Sequence, residues 1–134
     1  MLTAPLAKYT HSRRVGSLLF IAGQGCRDPA TNSYAGVERD AHGIVVRHDI
    51  ATQAAAVLHN IERVLHSHGL HRGHLVDVNV FLTDMAEFEV MNKVWNEFFR
   101  EFAPPTRTTV AVTRLPGDNF IEMKAIAEIN QAEV

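Results

Sequence analysis

Pro104-Pro105-Thr106-Arg107-Thr108-Thr109-Val110-Ala111-Val112, then Leu115-Pro116-Gly117-Asp118-Asn119, then Phe120-Ile121-Glu122-Met123-Lys124-Ala125-Ile126-Ala127: these three runs decide how the rest of the chain is read. The outer two are rich in β-branched and apolar residues, and the middle one carries the Pro, Gly, Asp and Asn that tight turns select. The pattern predicts a β-hairpin. Side chains alternate along a strand, so Arg107, Thr109 and Ala111 share a face, as do Phe120, Glu122 and Lys124. With Glu122 opposite Thr109, Arg107 and Glu122 lie on one sheet face, a diagonal step apart. Such a pair suits a site in which the guanidinium grips a carboxylate through two parallel hydrogen bonds while the glutamate holds and deprotonates a water. The same spacing fits a solvated cross-strand ion pair worth about 0–1 kcal/mol, and spacing alone leaves both readings open.

Upstream of the hairpin, Phe88, Met91, Trp95, Phe98, Phe99 and Phe102 form the apolar stripe of a helix. Asp84 opens it, Glu87 stands three positions on as in a capping box, and Pro104-Pro105 ends it. Leu75 to Thr83 reads as a strand with Val76, Val78, Val80 and Leu82 on one face and Asp77, Asn79 and Phe81 on the other. Before it, Asp49 caps a helix through Ile50, Ala54, Val57, Leu58, Ile61, Val64 and Leu65, and Gly69 stops it. Residues 24–47 read as a long loop, with Ile44-Val45-Val46 as a short strand. Leu18 to Ala22 is a buried strand closed by Gly23, joined through Gly16 to an edge strand between Lys8 and Val15.

The order β-β-(β)-α-β-α-β-β, with strands not strictly alternating with helices, is α+β: one sheet with both helices on one face, in a single domain over residues 1–134. Val110 and Val112 have the opposite parity to Arg107, and Ile121, Met123 and Ala125 the opposite parity to Glu122. Two apolar sheet faces and one helix layer predict a homo-oligomer that covers the second face.

Composition narrows the function. At 46% hydrophobic and 21% charged residues the 134-residue chain has the make-up of a soluble globular domain. It shows neither a basic-then-apolar leader nor an apolar run of membrane-spanning length. A net charge of −2 offers no pull toward nucleic acid. One cysteine, Cys26, precludes an internal disulfide and fits a reducing compartment, so the reading is cytoplasmic. The histidine-rich stretch from His66 to His74 matches no zinc spacing, so no metal is expected. Cys26 has no partnered base in sequence and reads as a bystander.

The ordered set Gly23-Gln24, Pro29, Val80-Phe81-Leu82-Thr83-Asp84-Met85, Phe88, Asn92, Phe98-Phe99, Pro105-x-Arg107, Leu115-Pro116 and Glu122-x-x-Ala125 resembles the reactive intermediate deaminase (RidA, YjgF-like) family over nearly the whole chain. The resemblance implies a chorismate-mutase-like fold, with one mixed sheet of about six strands and two helices on one face. It also implies homotrimers with clefts between subunits, and hydrolysis of amino-acid enamines and imines to keto acids and ammonia without a cofactor. By position, Arg107 matches the arginine that grips the substrate carboxylate and Glu122 the glutamate of the attacking water. Tyr9, Gly23, Phe81 and Asn92 fall at substrate-binding or cleft-lining positions.

Ala22 before Gly23-Gln24, Gly25-Cys26 after it, and the longer segment Tyr34-Ala35-Gly36-Val37-Glu38-x-Asp40-x-x-Gly43 depart from the usual pattern. The runs Lys8-Tyr9-x-His11-x-Arg13-Arg14-x-Gly16, Arg27-x-Pro29, Ala35-Gly36-Val37-Glu38-x-Asp40 and Arg107-Thr108-Thr109-Val110-Ala111-Val112 together resemble the 2-aminomuconate deaminase branch, whose substrate is a six-carbon dicarboxylate in aromatic-compound catabolism. A second carboxylate asks for a second cation. Arg27 is the first choice, with His11, Arg13 and Arg14 nearby, while a solvated loop arginine remains the alternative. The expected product is 4-oxalocrotonate. The alternatives are a generalist deaminase of 2-aminoacrylate-type intermediates, or a non-catalytic or RNA-acting trimer, and the trimer would stand alone or pair into a hexamer.

Overall fold

The computed structural model describes residues 1–129. Ser12–Val15 (β1) and Leu18–Gln24 (β2) form a hairpin, and Val37–Arg39 (β3) pairs with Val45–His48 (β4). Helix Ile50–Ser67 (α1), strand Leu75–Leu82 (β5), helix Phe88–Phe98 (α2), and strands Thr106–Ala111 (β6) and Ile121–Glu128 (β7) follow. The main sheet has the order β1-β2-β7-β5-β6, with β6 parallel to β5 and the other pairs antiparallel. The fold is the expected α+β class with a mixed sheet and two helices. The sheet has five strands rather than about six, because the strand foreseen at Ile44–Val46 joins β3 in a separate two-stranded ribbon.

The terminal hairpin does not form. β5 lies between β6 and β7, and the two runs never pair. The connecting segment steps across the end of β5, where Val112 N donates to Leu82 O at 2.8 Å and Thr83 N donates to Phe120 O at 3.2 Å. Burial decides the placement. Ile121, Met123, Ala125 and Ala127 are at most 1% exposed, so β7 takes a central position, while threonine-rich β6 takes the edge.

On β5, Val78, Val80 and Leu82 are fully buried, as their alternation requires. Val76 is 43% exposed because the register slips between Leu75 and Asp77, and such a bulge turns one side chain out of its row. The α1 stripe is buried as read, with Asp49 at the N-cap and Gly69 at φ +71° just past the end, a conformation glycine adopts without steric penalty. Asp84 instead caps a 3₁₀ turn over Met85–Glu87, accepting from Ala86 N at 2.9 Å. Glu87 turns away from any capping box to bond His48 Nε2 at 2.9 Å, and the His48 ring stacks on Phe120 at 3.7 Å. Met91, Trp95, Phe98 and Phe99 are buried, confirming the aromatic stripe as core.

Gln53 lies on the apolar stripe of α1 and is fully buried. Its amide accepts from Phe120 N at 2.8 Å and donates to Asp118 O at 2.9 Å and Ala35 O at 3.0 Å. Replacing it with Leu leaves the part-buried Phe120 N and Asp118 O without that partner and Ala35 O with only the Cys26 thiol, and an orphaned group costs about 1–3 kcal/mol. Gln53→Leu is expected to lower unfolding free energy by about 3 kcal/mol, read from urea denaturation.

Candidate active site

Register separates the two residues expected to work together. Arg107 pairs with Val78, and Val78 with Ala125, all on the face covered by the helices. Glu122 pairs with Phe81, and Phe81 with Val110, on the opposite face. Two strand spacings and a three-residue offset put the Arg107 and Glu122 backbones roughly 14 Å apart. The expected same-face diagonal is therefore replaced by two half-sites on opposite faces of one sheet.

The first half-site is a cavity of about 220 Å³ lined by Thr3, Leu6, Tyr9, His11, Gly23, Gln24, Gly25, Arg27, Tyr34, Asn60, Pro116, Asn119 and Glu122. It brings together four expected residues, Tyr9, Gly23, Arg27 and Glu122; Phe81 stands outside the lining, beside Glu122 on the adjacent strand β5. Glu122 is half-buried, and burial pushes its carboxyl above the ordinary value of 4.5. No hydrogen-bond or ion-pair partner to its carboxylate occurs among the described residues. Glu122 Oε2 lies against the Gly23 backbone, only 2.6 Å from where a Cβ would stand. Gly23→Ala must push the carboxylate aside, and displacement of about 1 Å can cost about 100-fold in rate. The expected result is a loss of kcat of that order, with the thermal midpoint changed by less than a few degrees.

The second half-site is the Arg107 guanidinium. It lies over the Trp95 ring at 4.9 Å and the Phe88 ring at 5.5 Å, with Nη1 3.8 Å from Met91 Sδ. Burial lowers its proton affinity below the ordinary arginine value, and no carboxylate pairs with it among the described residues. The neighbouring Asn92 Oδ1 and Thr109 Oγ1 are buried without hydrogen-bond partners. An arginine fork held over aromatic faces, with its edge unpaired, is set to receive a planar carboxylate.

Arg27 does not offer a free cation to the cavity. Its Nη1 donates to Asn32 Oδ1 at 2.6 Å and its Nη2 donates to Ala4 O. Arg13 lies opposite Phe20 in β1, and Arg14 Nε donates to Gly16 O at 2.9 Å. Only His11 of that basic cluster lines the cavity alongside Arg27. Cys26 is 1% exposed, and burial pushes its thiol up to about 11, which makes it an inert core residue. His71 and His74 close the 3₁₀ turn after α1, and His68 bonds Ser12 Oγ at 2.8 Å.

Three amides that frame the cavity were not foreseen. Gln53 pins the 118–120 segment, Asn60 Nδ2 donates to Gly25 O and Arg27 O at 2.8 and 2.9 Å, and Asn119 Oδ1 accepts from Cys26 N at 2.8 Å. Gln53 and Asn60 did leave a signal: they are polar residues seven apart on an apolar helical stripe. A larger, open groove of about 460 Å³ between α1 and α2 contains none of the expected residues.

Residues 1–129 match the family described as Endoribonuclease L-PSP. A RutC family protein of Pyrococcus abyssi is 38% identical over 123 residues, spanning 92% of this chain and 87% of that protein. TdcF of Escherichia coli K12, which carries the name of a reactive intermediate deaminase, is 32% identical over 124 residues, 91% of this chain and 87% of its own. Among solved structures, E. coli TdcF with bound serine superposes with a TM-score of 0.83 at 30% identity, covering 96% of this chain and 94% of that one. The E. coli YjgF product gives 0.82 at 30% identity, with the same coverage.

Proposed function

The chain belongs to the endoribonuclease L-PSP family, and from that premise we propose that it is a cofactor-independent deaminase hydrolysing enamine and imine intermediates of small amino acids. One observation carries the reading: a half-buried guanidinium and a half-buried carboxylate, neither paired within the described residues. Desolvated charges without partners destabilise a fold, so their presence points to a partner from outside the chain. An α-imino acid supplies one, with a carboxylate for Arg107 and an electrophilic carbon for water held by Glu122. The serine bound to E. coli TdcF is a small amino acid of that size.

Because Arg107 and Glu122 occupy opposite faces of one sheet, one site takes Arg107 from one copy of the chain and Glu122 from the next. The joined surfaces differ, so the contact is heterologous and closes as a ring; a homotrimer is the proposed assembly. Phe20 and Val110, 37% and 41% exposed on the open face, supply apolar area for it.

In the proposed reaction the enamine first takes a proton on carbon to become the imine. Arg107 holds the carboxylate, and its positive field favours electron density leaving the C=N carbon. Glu122 takes a proton from water as the oxygen adds to that carbon, and its raised proton affinity suits a base that must also return the proton. Glu122 returns that proton to nitrogen, giving a carbinolamine; it then takes the hydroxyl proton and passes it to nitrogen as the C–N bond breaks, so that ammonia leaves and the C=O of the keto acid forms. Tyr9, Phe81 and Asn92 line or buttress the cleft in this scheme.

The narrower substrate, 2-aminomuconate, needs a second cation. Arg27, assigned to it from sequence, is engaged by Asn32 and Ala4, and this favours the monocarboxylate substrates. The long segment carrying the β3–β4 ribbon is the feature that keeps the dicarboxylate in view. An RNA-directed reading fits poorly with a net charge of −2 and a cavity floored by a carboxylate. The test generates 2-aminoacrylate from serine with a dehydratase and follows pyruvate, beside a parallel assay of 2-aminomuconate by absorbance and ammonia. Acceleration of the first beyond spontaneous hydrolysis is expected; acceleration of the second alone would transfer the protein to the aromatic-catabolic branch, and of neither would overturn the deaminase reading.

A further inference from the structure

We infer that residues 3–9 form a strap over the Glu122 cavity, and that Arg27 and His11 latch it shut as positioning residues for substrate entry. Thr3, Leu6 and Tyr9 make one wall of the cavity, and Gly23, Asn119 and Glu122 make another. Little apolar burial holds the segment there: Leu6 is 65% exposed, Tyr9 is 50% exposed, and of its neighbours only Leu2 packs on the core. Segments with few buried contacts open at low free energy, so the polar contacts decide where this one rests.

Both latches grip backbone. Arg27 reaches from Asn32 on its own loop to the Ala4 carbonyl, and His11 Nε2 meets the Thr3 carbonyl. Gln24 Nε2 sits 3.2 Å from His11 Nδ1 while also donating to Ala22 O at 3.0 Å. An amide N–H facing Nδ1 makes that nitrogen the acceptor, so the neutral ring carries its proton on Nε2 and donates it to Thr3. Within the strap, Tyr9 N donates to Ala7 O at 3.0 Å, and Leu6 N donates to the Tyr9 hydroxyl at 3.4 Å. Tyr9 is thereby tied to the strap, and a latch that moves the strap moves Tyr9 against the cavity.

This inference rests on the deaminase reading for its kinetic consequence and not for its structural one. Lys8 lies in the strap, and trypsin must draw several residues of extended backbone into its cleft, so cleavage after Lys8 requires the backbone held at Thr3 and Ala4 to lift and reports strap release. In Arg27→Ala, cleavage there is expected to run about tenfold faster at an unchanged thermal midpoint, with KM raised about tenfold and kcat within twofold of the parent. Arg27→Lys retains one donor to Ala4 and should recover most of both effects. Asn32→Gly removes only the loop-side bond, at a residue whose φ is +65°, and should leave Lys8 cleavage as in the parent. Unchanged cleavage in Arg27→Ala would overturn the latch, and faster cleavage with unchanged KM would overturn its role in entry. A protein inactive on every imine yet showing the cleavage pattern would sink the deaminase reading and leave the latch standing.

Discussion

Arg107→Ala is expected to lower kcat/KM on an amino-acid imine by roughly 10³-fold while leaving the fold intact. Truncating one partner of a desolvated, hydrogen-bonded charge pair costs about 2–5 kcal/mol, and each 1.4 kcal/mol is about tenfold. No ion pair is lost in the free protein, since no carboxylate pairs with Arg107 among the described residues and its guanidinium meets the Met91 sulfur and the Phe88 and Trp95 rings. Thermal unfolding should therefore stay within a few degrees of the parent. Arg107→Lys keeps the charge but not the planar fork, and should recover no more than about a tenth of the activity. Full turnover in Arg107→Ala would remove the substrate anchor from the scheme.

Glu122→Gln is expected to lower kcat by about 10²–10⁴-fold, the range of a general base. Mixing it with Arg107→Ala provides a sharper result. When subunits are exchanged by mild denaturation and refolding, about a quarter of the clefts in a randomly mixed ring carry both an intact Arg107 and an intact Glu122. Activity should return to about that fraction of the parent. A site contained within one chain would stay dead in every mixture.

The pH dependence follows from burial of Glu122. The base must be ionised, so the acid limb of kcat/KM lies above the ordinary carboxylate value of 4.5. Stability moves the other way. With the folded value raised above the unfolded one, the folded state binds the extra proton in the window between them, and the stability this provides is lost as pH rises through it. Glu122→Gln should flatten that slope and be no less stable than the parent at neutral pH.

Both helices were legible in the chain. The α1 stripe from Ile50 to Leu65 and its stop at Gly69 depend on contacts within a few turns, which local spacing records. The aromatic stripe of α2 was equally clear, but its first turn was not: Glu87 had a nearer helical role and went instead to His48, 39 residues away. The terminal hairpin failed for the same reason. Turn residues between two apolar runs record that the chain reverses, and carry no information about a third strand inserted between them. Arg27 shows it at the level of one side chain, because an arginine in a loop reads as a free cation until Ala4 folds across it.

By itself the sequence determined the α+β class, the two amphipathic helices, the family, and the identity of Arg107 and Glu122 as the charged residues of interest. These rest on local periodicity and on residue type at matched positions. Only the tertiary structure decided the strand order, and with it that Arg107 and Glu122 face opposite sides of the sheet. Strand pairing is chosen by which strand buries more apolar surface against the helices, a competition among segments far apart in the chain. The placement of β5 between β6 and β7 is the outcome of that competition.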